Sequence, residues 1–222
     1  MGKPKLTLFV DSVSPFAYLA FYAVKNWPVF KKCEVSFIPI FLGGLMHKCD
    51  NRTPLAITNK DRWINKERVR LARSFDIPMC DAVPDGFPMN TLATQRALTA
   101  LNMQMPERFP DALAAFYHAL WCDRQPIHKP EVAIPILART LQMSDVEAKA
   151  LFERGSEPEV KSLLTKNTEL AFEEGAFGLP WFVATNSDGE KDSFWGFDRI
   201  GQVVDHLGLG RPNDKRGWQA ML

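Results

Sequence analysis

Leu6 to Val10 is an unbroken apolar run that leads through Asp11-Ser12-Val13 into Ser14-Pro15 and a long apolar stretch, and nothing else in the chain constrains the fold as strongly. A short strand that is apolar along its whole length is buried on both faces, the habit of central strands in parallel sheets. Pro15 supplies the fixed φ favoured at the first helical position, with Ser14 before it as N-cap. The helix is predicted to end near Asn26, because Pro28 pushes the preceding residue out of the helical region. Cys33 to Ile40 then reads as a second strand through Val35, Phe37 and Ile40. The opening is therefore β-α-β, which implies a parallel pair joined by a right-handed crossover.

From about Asn51 to Gly175 strand signals disappear and helical ones follow each other. Pro106, Pro110 and Pro130 punctuate this block, Leu113, Phe116, Tyr117, Leu120 and Trp121 recur at helical spacing, and Ser144 with Glu147 forms a capping box. Gly175 suits a helix C-terminus. Strands return with Trp181 to Thr185, a turn at Asn186-Ser187-Asp188-Gly189, and a returning strand at Ser193-Phe194-Trp195. Asp198 is expected to cap a last short helix carrying Val203, Val204 and Leu207. The reading is α/β: β-α-β, a large all-helical insertion, then α-β-β-α. The expected boundaries are 1–50 and 166–222 for the two parts of the α/β unit and 51–165 for the insertion.

Charge and cysteines narrow the function. The 222 residues carry 27 basic and 26 acidic side chains, a formal net charge of +1, so no overall field favours nucleic acid or an anionic membrane. No apolar run reaches the ~20 residues of a membrane helix. Cys33, Cys49, Cys80 and Cys122 show neither a C-x-x-C pair nor zinc spacing, and read as reduced core thiols of an intracellular protein. No metal site is expected. Ala220-Met221-Leu222 has only the outline of a peroxisomal signal, so mitochondrion, peroxisome and cytoplasm stay open.

The order of elements, with a proline opening the second strand pair, resembles the thioredoxin-like fold with the helical insertion of the DsbA type. Members with dithiol chemistry carry Cys-Pro-x-Cys at the first helix; here Ser14-Pro15-Phe16-Ala17 occupies that register, so thiol exchange by these residues is excluded. Within that superfamily the chain resembles the kappa-class glutathione transferases over nearly its whole length. "FVDSVSPFAY", "NRTPLAITNKDRW", "EEGAFGLPWFV" and "FWGFDRI" carry the likeness, and the tail from Gly210 to Leu222 suits it.

The resemblance implies an enzyme that uses glutathione as co-substrate, conjugating it to a small hydrophobic electrophile or reducing a peroxide with it, in a detoxification role and as a homodimer. A free thiol with a pKa of about 8.5 is only slightly ionised at neutral pH, and the thiolate is the nucleophile. Lowering that pKa by ~2 units needs ~2.7 kcal/mol, within reach of a helix N-terminus plus one hydrogen bond to the anion. By resemblance Ser14 donates that bond, with Pro15 and Phe16 beside it. Leu179-Pro180 is implied to be cis, leaving the Leu179 backbone to pair with the cysteinyl unit of glutathione. Asp198 is implied to meet the γ-glutamyl ammonium and the Phe197 backbone its carboxylate, while Asn51 and Lys60 meet the peptide backbone and the glycyl carboxylate.

From the residues alone each has a plainer reading: Ser14 a cap, Pro180 a strand entry, Asp198 a cap, Asn51 a loop residue and Lys60 a solvated cation. His47, His118, His128 and His206 receive no role, with His118 expected to be packed among aromatics. Phe16, Tyr18, Trp63, Phe116 and Trp121 are candidates for the electrophile pocket or for the core. Two other functions fit the same residues: a glutathione-dependent isomerase of the 2-hydroxychromene-2-carboxylate type, and a non-enzymatic thioredoxin-like peptide-binding module.

Overall fold

The computed structural model describes residues 2–211, so the tail from residue 212 and the outline at Ala220-Met221-Leu222 lie outside the described residues. The chain begins with β1 (Lys5–Val10), α1 (Pro15–Asn26) and β2 (Glu34–Pro39). Seven α-helices separate β2 from the next strand, beginning with α2 (Leu42–Lys48), α3 (Lys60–Ser74), α4 (Leu92–Gln104), α5 (Phe109–Trp121), α6 (Pro130–Leu141) and α7 (Asp145–Arg154). The long α8 (Pro158–Glu173) then leads to β3 (Trp181–Thr185), β4 (Lys191–Trp195) and α9 (Ile200–His206). The four strands form one sheet in the order β2-β1-β3-β4, with β2 parallel to β1 and β3 antiparallel to both β1 and β4. This is the α/β arrangement expected from the sequence. No helix among the described residues is long and apolar enough to cross a membrane.

β1 is the central strand, and Leu6, Leu8, Phe9 and Val10 are all buried, as its continuous apolar run requires. α1 is buried nearly all round through Ala17, Tyr18, Leu19, Ala20, Phe21, Ala23 and Val24. A helix apolar on every side has cover on every side: α1 packs on β1 and is covered by α3 and α5 of the insertion. Tyr117 of α5 locks that seam, stacked 5.2 Å from Tyr18 and 5.4 Å from Phe21. On the sheet, Phe194 meets His206 of α9 at 5.8 Å between ring centroids. Its strand neighbour Trp195 therefore faces the other side, where α8 ends.

Several local expectations meet corrections. α8 runs unbroken through residue 165, so no break in the chain marks a boundary there. α2 contains Gly43 and Gly44, each of which disfavours a helix by about 1 kcal/mol. It forms because its first N–H groups find remote acceptors: Leu42 donates to the Asp11 carboxylate at 2.9 Å and Phe41 to the Thr168 hydroxyl at 3.1 Å. The glycines are needed there, since a Cβ on Gly43 would lie 2.9 Å from the Phe41 ring. α9 begins at Ile200, with Asp198 inside the 3-10 turn Phe197–Arg199 that precedes it. Asp198 is therefore not the cap of that helix. The capping box at Ser144 and Glu147 is formed with both reciprocal bonds.

Candidate functional site

The register of the sheet decides which distant residues meet. Phe9 pairs with Trp181 in the antiparallel β1–β3 ladder, so the turn after β1 lies beside the residues that precede β3. Those residues are Leu179 and Pro180, joined by a cis peptide bond. The Gly196 N–H donates to the Pro180 carbonyl at 3.1 Å and draws the turn carrying Phe197 and Asp198 to the same end. The Asn51 side-chain amide donates to the Phe177 carbonyl at 2.7 Å and its oxygen accepts the Arg52 N–H, which ties the third loop to the strip before the proline. Four segments far apart in sequence thus converge at the C-terminal end of β1.

Ser14 sits at the floor of this convergence, 6% exposed, as the N-cap of α1. Its Oγ accepts the Ala17 N–H at 3.1 Å. A hydroxyl that accepts still has its own proton to donate, so the cap and a donor role coexist in one side chain. Pro15 has no N–H, Ala17 spends its N–H on Ser14, and the Phe16 N–H makes no backbone bond among the described residues. Together with the aligned peptide dipoles, these groups form a local anion-favouring end. The Leu179 N–H and carbonyl likewise have no backbone partner among the described residues, leaving both groups open for pairing.

The remaining expected residues divide clearly. The Phe197 ring is 1% exposed and packed against Trp27 and Phe75, so only its backbone faces the turn. The Asp198 carboxylate is exposed and lies 3.8 Å from the Arg199 guanidinium. Gly196, with φ +99°, makes room for it: a Cβ there would collide with the Asp198 carboxylate. Lys60 opens α3, which packs on α1, and its side chain is exposed. Phe16 is half-buried against the core and Trp63 is 57% exposed. Tyr18, Phe116 and Trp121 are core residues, at most 3% exposed, because α1 and α5 turn these faces toward each other. His118 is exposed and paired with Asp123 at 3.2 Å, so its aromatic-rich helix does not bury it. Concavities of about 210 and 590 Å³ lie elsewhere, one between α2 and α8 and one along α3, and neither includes Ser14.

The match to known proteins follows the same architecture. The family model for the DSBA-like thioredoxin domain covers residues 5–208. The chain belongs to the DSBA-like thioredoxin domain family. Within that family, this DSBA-like chain is 29% identical over 203 residues to glutathione S-transferase kappa 1 of Homo sapiens, covering 90% of this chain and 88% of the human one. Among solved structures, a 2-hydroxychromene-2-carboxylate isomerase superposes with a TM-score of 0.73 at 17% identity, covering 92% of this chain and 94% of the other. The cytosolic disulfide reductase DsbM from Pseudomonas aeruginosa, solved with GSH, superposes with a TM-score of 0.59 at 16% identity over 97% and 96% of the two chains. Such structural likeness speaks to the fold that the DSBA-like chain shares with them.

One residue central to the DSBA-like site carried no role in the sequence reading. Asp11 is fully buried at the end of β1. Its Oδ1 accepts the Val13 N–H at 3.1 Å and the Thr91 hydroxyl at 2.8 Å, and its Oδ2 accepts the Leu42 N–H. The Ser14 N–H donates to its carbonyl at 3.1 Å, as does the Tyr117 hydroxyl at 3.2 Å. Asp11 thus joins β1, the Ser14 turn, α2 and the start of α4 at one point. Burial raises its carboxyl to about 6, against the lowering effect of the Leu42, Val13, Thr91 and Gln95 hydrogen bonds. The signal available beforehand was an acidic residue directly abutting the apolar end, Leu8-Phe9-Val10, of a strand.

Proposed function

We propose that the chain is a glutathione transferase of the kappa type, binding glutathione in the groove between the Ser14 turn, the Leu179-Pro180 strip and the Gly196-Asp198 turn. The observation that carries the reading is the Ser14 hydroxyl, held at the N-terminus of α1 with its proton free to donate and no cysteine beside it. Similarity to glutathione S-transferase kappa over about nine-tenths of the chain supports the same reading.

In this reading the Leu179 backbone pairs with the cysteinyl unit of glutathione and directs its sulfur toward Ser14. The serine O–H and the Phe16 N–H donate to the thiolate and lower its pKa, while the helix end supplies a favourable field. Ser14 never ionises. The thiol proton leaves to solvent, and the thiolate attacks the electrophilic carbon of an apolar substrate, forming a C–S bond and expelling the leaving group. Asp198 pairs with the γ-glutamyl ammonium, and Lys60 with the glycyl carboxylate. Phe16 and the exposed Trp63 offer apolar surface to the electrophile.

The test is titration of the bound thiol by ultraviolet absorbance in wild type and Ser14→Ala. The expected result is a depressed thiol pKa in the wild type that returns toward about 8.5 in the variant. An unshifted thiol in both proteins refutes the role of Ser14. The likeness in fold to 2-hydroxychromene-2-carboxylate isomerase favours one second reading, in which glutathione is returned unchanged. Turnover of a chromene carboxylate without net glutathione consumption would decide for it.

A further inference from the structure

Away from the Ser14 groove, the fold brings two half-buried cysteines together. Cys80 lies in the connection between α3 and α4, and Cys122 directly follows α5. The Cys80 N–H donates to the Trp121 carbonyl at 2.7 Å. That carbonyl oxygen lies about 2.8 Å from the Cys122 Cα across one planar peptide, so the two Cα atoms are at most about 7 Å apart, and closer once the bonds bend out of line. Disulfides join Cα atoms about 4.4–6.8 Å apart.

Both sides of the pair are held in place. Arg68, 2% exposed, donates to the carbonyls of Cys80 at 2.6 Å and Asp81 at 2.7 Å, and its guanidinium lies 5.4 Å from the centre of the Trp121 ring. The Cys122 thiol donates to the Pro78 carbonyl at 3.2 Å, the same carbonyl that accepts the Tyr18 hydroxyl at 2.8 Å. The two sulfurs are within electrostatic reach: burial pushes the Cys122 thiol up, and the charge of Cys80 acts in the same direction. Cys33 and Cys49, whose thiols donate to the Phe30 and Ala176 carbonyls, differ in having no second cysteine in contact among the described residues. The reading of all four cysteines as core thiols therefore holds only for Cys33, the one that is fully buried.

We propose that Cys80 and Cys122 form a reversible disulfide, a second sulfur site that takes its oxidising equivalents from a low-molecular-weight disulfide, glutathione disulfide. The Cys80 sulfur, beside the Arg68 cation, attacks as thiolate on one sulfur of glutathione disulfide. The S–S bond breaks, a protein–glutathione mixed disulfide forms, and the first glutathione leaves with the proton that Cys80 gave up. The Cys122 thiolate then attacks the Cys80 sulfur, closing the protein disulfide and releasing the second glutathione, protonated at the expense of Cys122. Two protein thiols are oxidised and one glutathione disulfide is reduced to two glutathiones, so electrons and protons balance.

The experiment uses the reduced full chain incubated with glutathione disulfide, quenched, alkylated and mapped by mass spectrometry without reduction. The wild type is expected to lose two of its four free thiols and to give a single linked peptide pair through Cys80 and Cys122; dithiothreitol restores all four. Cys122→Ser is expected to stop with one glutathionyl group on Cys80, and Cys80→Ser, lacking the attacking sulfur, to keep its Cys122 thiol free over the same time. Four thiols remaining, a linked pair containing Cys33 or Cys49, or glutathionylation of both sulfurs without the link overturns the proposal. The readout requires no binding at Ser14, so its outcome is independent of the function proposed above.

Discussion

Replacing Asp11 by asparagine tests the buried carboxylate that organises the Ser14 turn. Its native pKa is raised from 3.8 to about 6, chiefly because burial penalises the charged form. Between these two values the folded protein holds a proton that the unfolded chain has already released. Stability therefore falls as the pH rises through that window and is level above it. A shift of about 2 units corresponds to roughly 3 kcal/mol. Asp11→Asn has no such proton to lose, so its stability relative to wild type should improve by roughly 3 kcal/mol between pH 4 and pH 7. Other carboxylates titrate in the same range, Glu147 among them, held low by its Ser144 hydrogen bonds. They are common to both proteins and cancel in the difference. A constant offset opposes the gain. The asparagine oxygen keeps Val13 and Thr91, but its amide faces the Leu42 N–H, and a buried donor left unpaired costs about 1–3 kcal/mol. The variant should thus be clearly less stable at pH 4 and near wild type at pH 7. Urea unfolding at unit pH steps, fitted with a common m-value, measures both curves. Parallel pH profiles for the two proteins would refute the assignment of a raised, buried carboxyl to Asp11.

Gly196→Ala forces a Cβ into the Asp198 carboxylate at φ +99°; glutathione affinity measured by calorimetry should fall while the pKa of the bound thiol stays as in wild type. Phe116→Ala empties a fully buried site beneath α1 and should cost about 3–5 kcal/mol in urea unfolding. Ser144→Ala removes the capping box of α7 and should cost about 1 kcal/mol by the same assay, with glutathione binding unchanged. Ser14→Ala loses the α1 cap, again about 1 kcal/mol, but unlike Ser144→Ala it should also move the pKa of the bound thiol back toward its free value.

The chemistry of the Ser14 turn is limited by the residues it holds. Ser14 caps α1 and neither it nor Ala17 carries sulfur, so the helix end has its anion-favouring field without a thiol of its own. Sulfur chemistry at this turn needs a thiol brought from outside. The Cys80–Cys122 pair stands apart from it, with Cys122 following the core residue Trp121 and the backbone carbonyl of Cys80 held by a buried arginine.

Whatever depends on neighbours within a turn or two was determined by the sequence itself. The apolar run of β1, the Ser14-Pro15 start of α1, the reciprocal cap at Ser144 and the turn after Asn186 are all set by local sterics and local hydrogen bonds, so periodicity and residue type suffice to find them. Tertiary structure decided the rest. Asp198 reads as a cap in sequence, yet the Gly196 turn places it one step too early for that role. α2 forms against its own glycines because Asp11 and Thr168 receive its first N–H groups from 31 and 127 residues away. Tyr18, Phe116 and Trp121 went to the core because α1 and α5 present those faces to each other. Cys80 and Cys122 come near each other because hydrogen bonds from Cys80 to Trp121 and from Cys122 to Pro78 join the α3–α4 connection to the end of α5. Contacts between residues far apart in the chain depend on how whole elements pack, and no residue's immediate neighbours encode that.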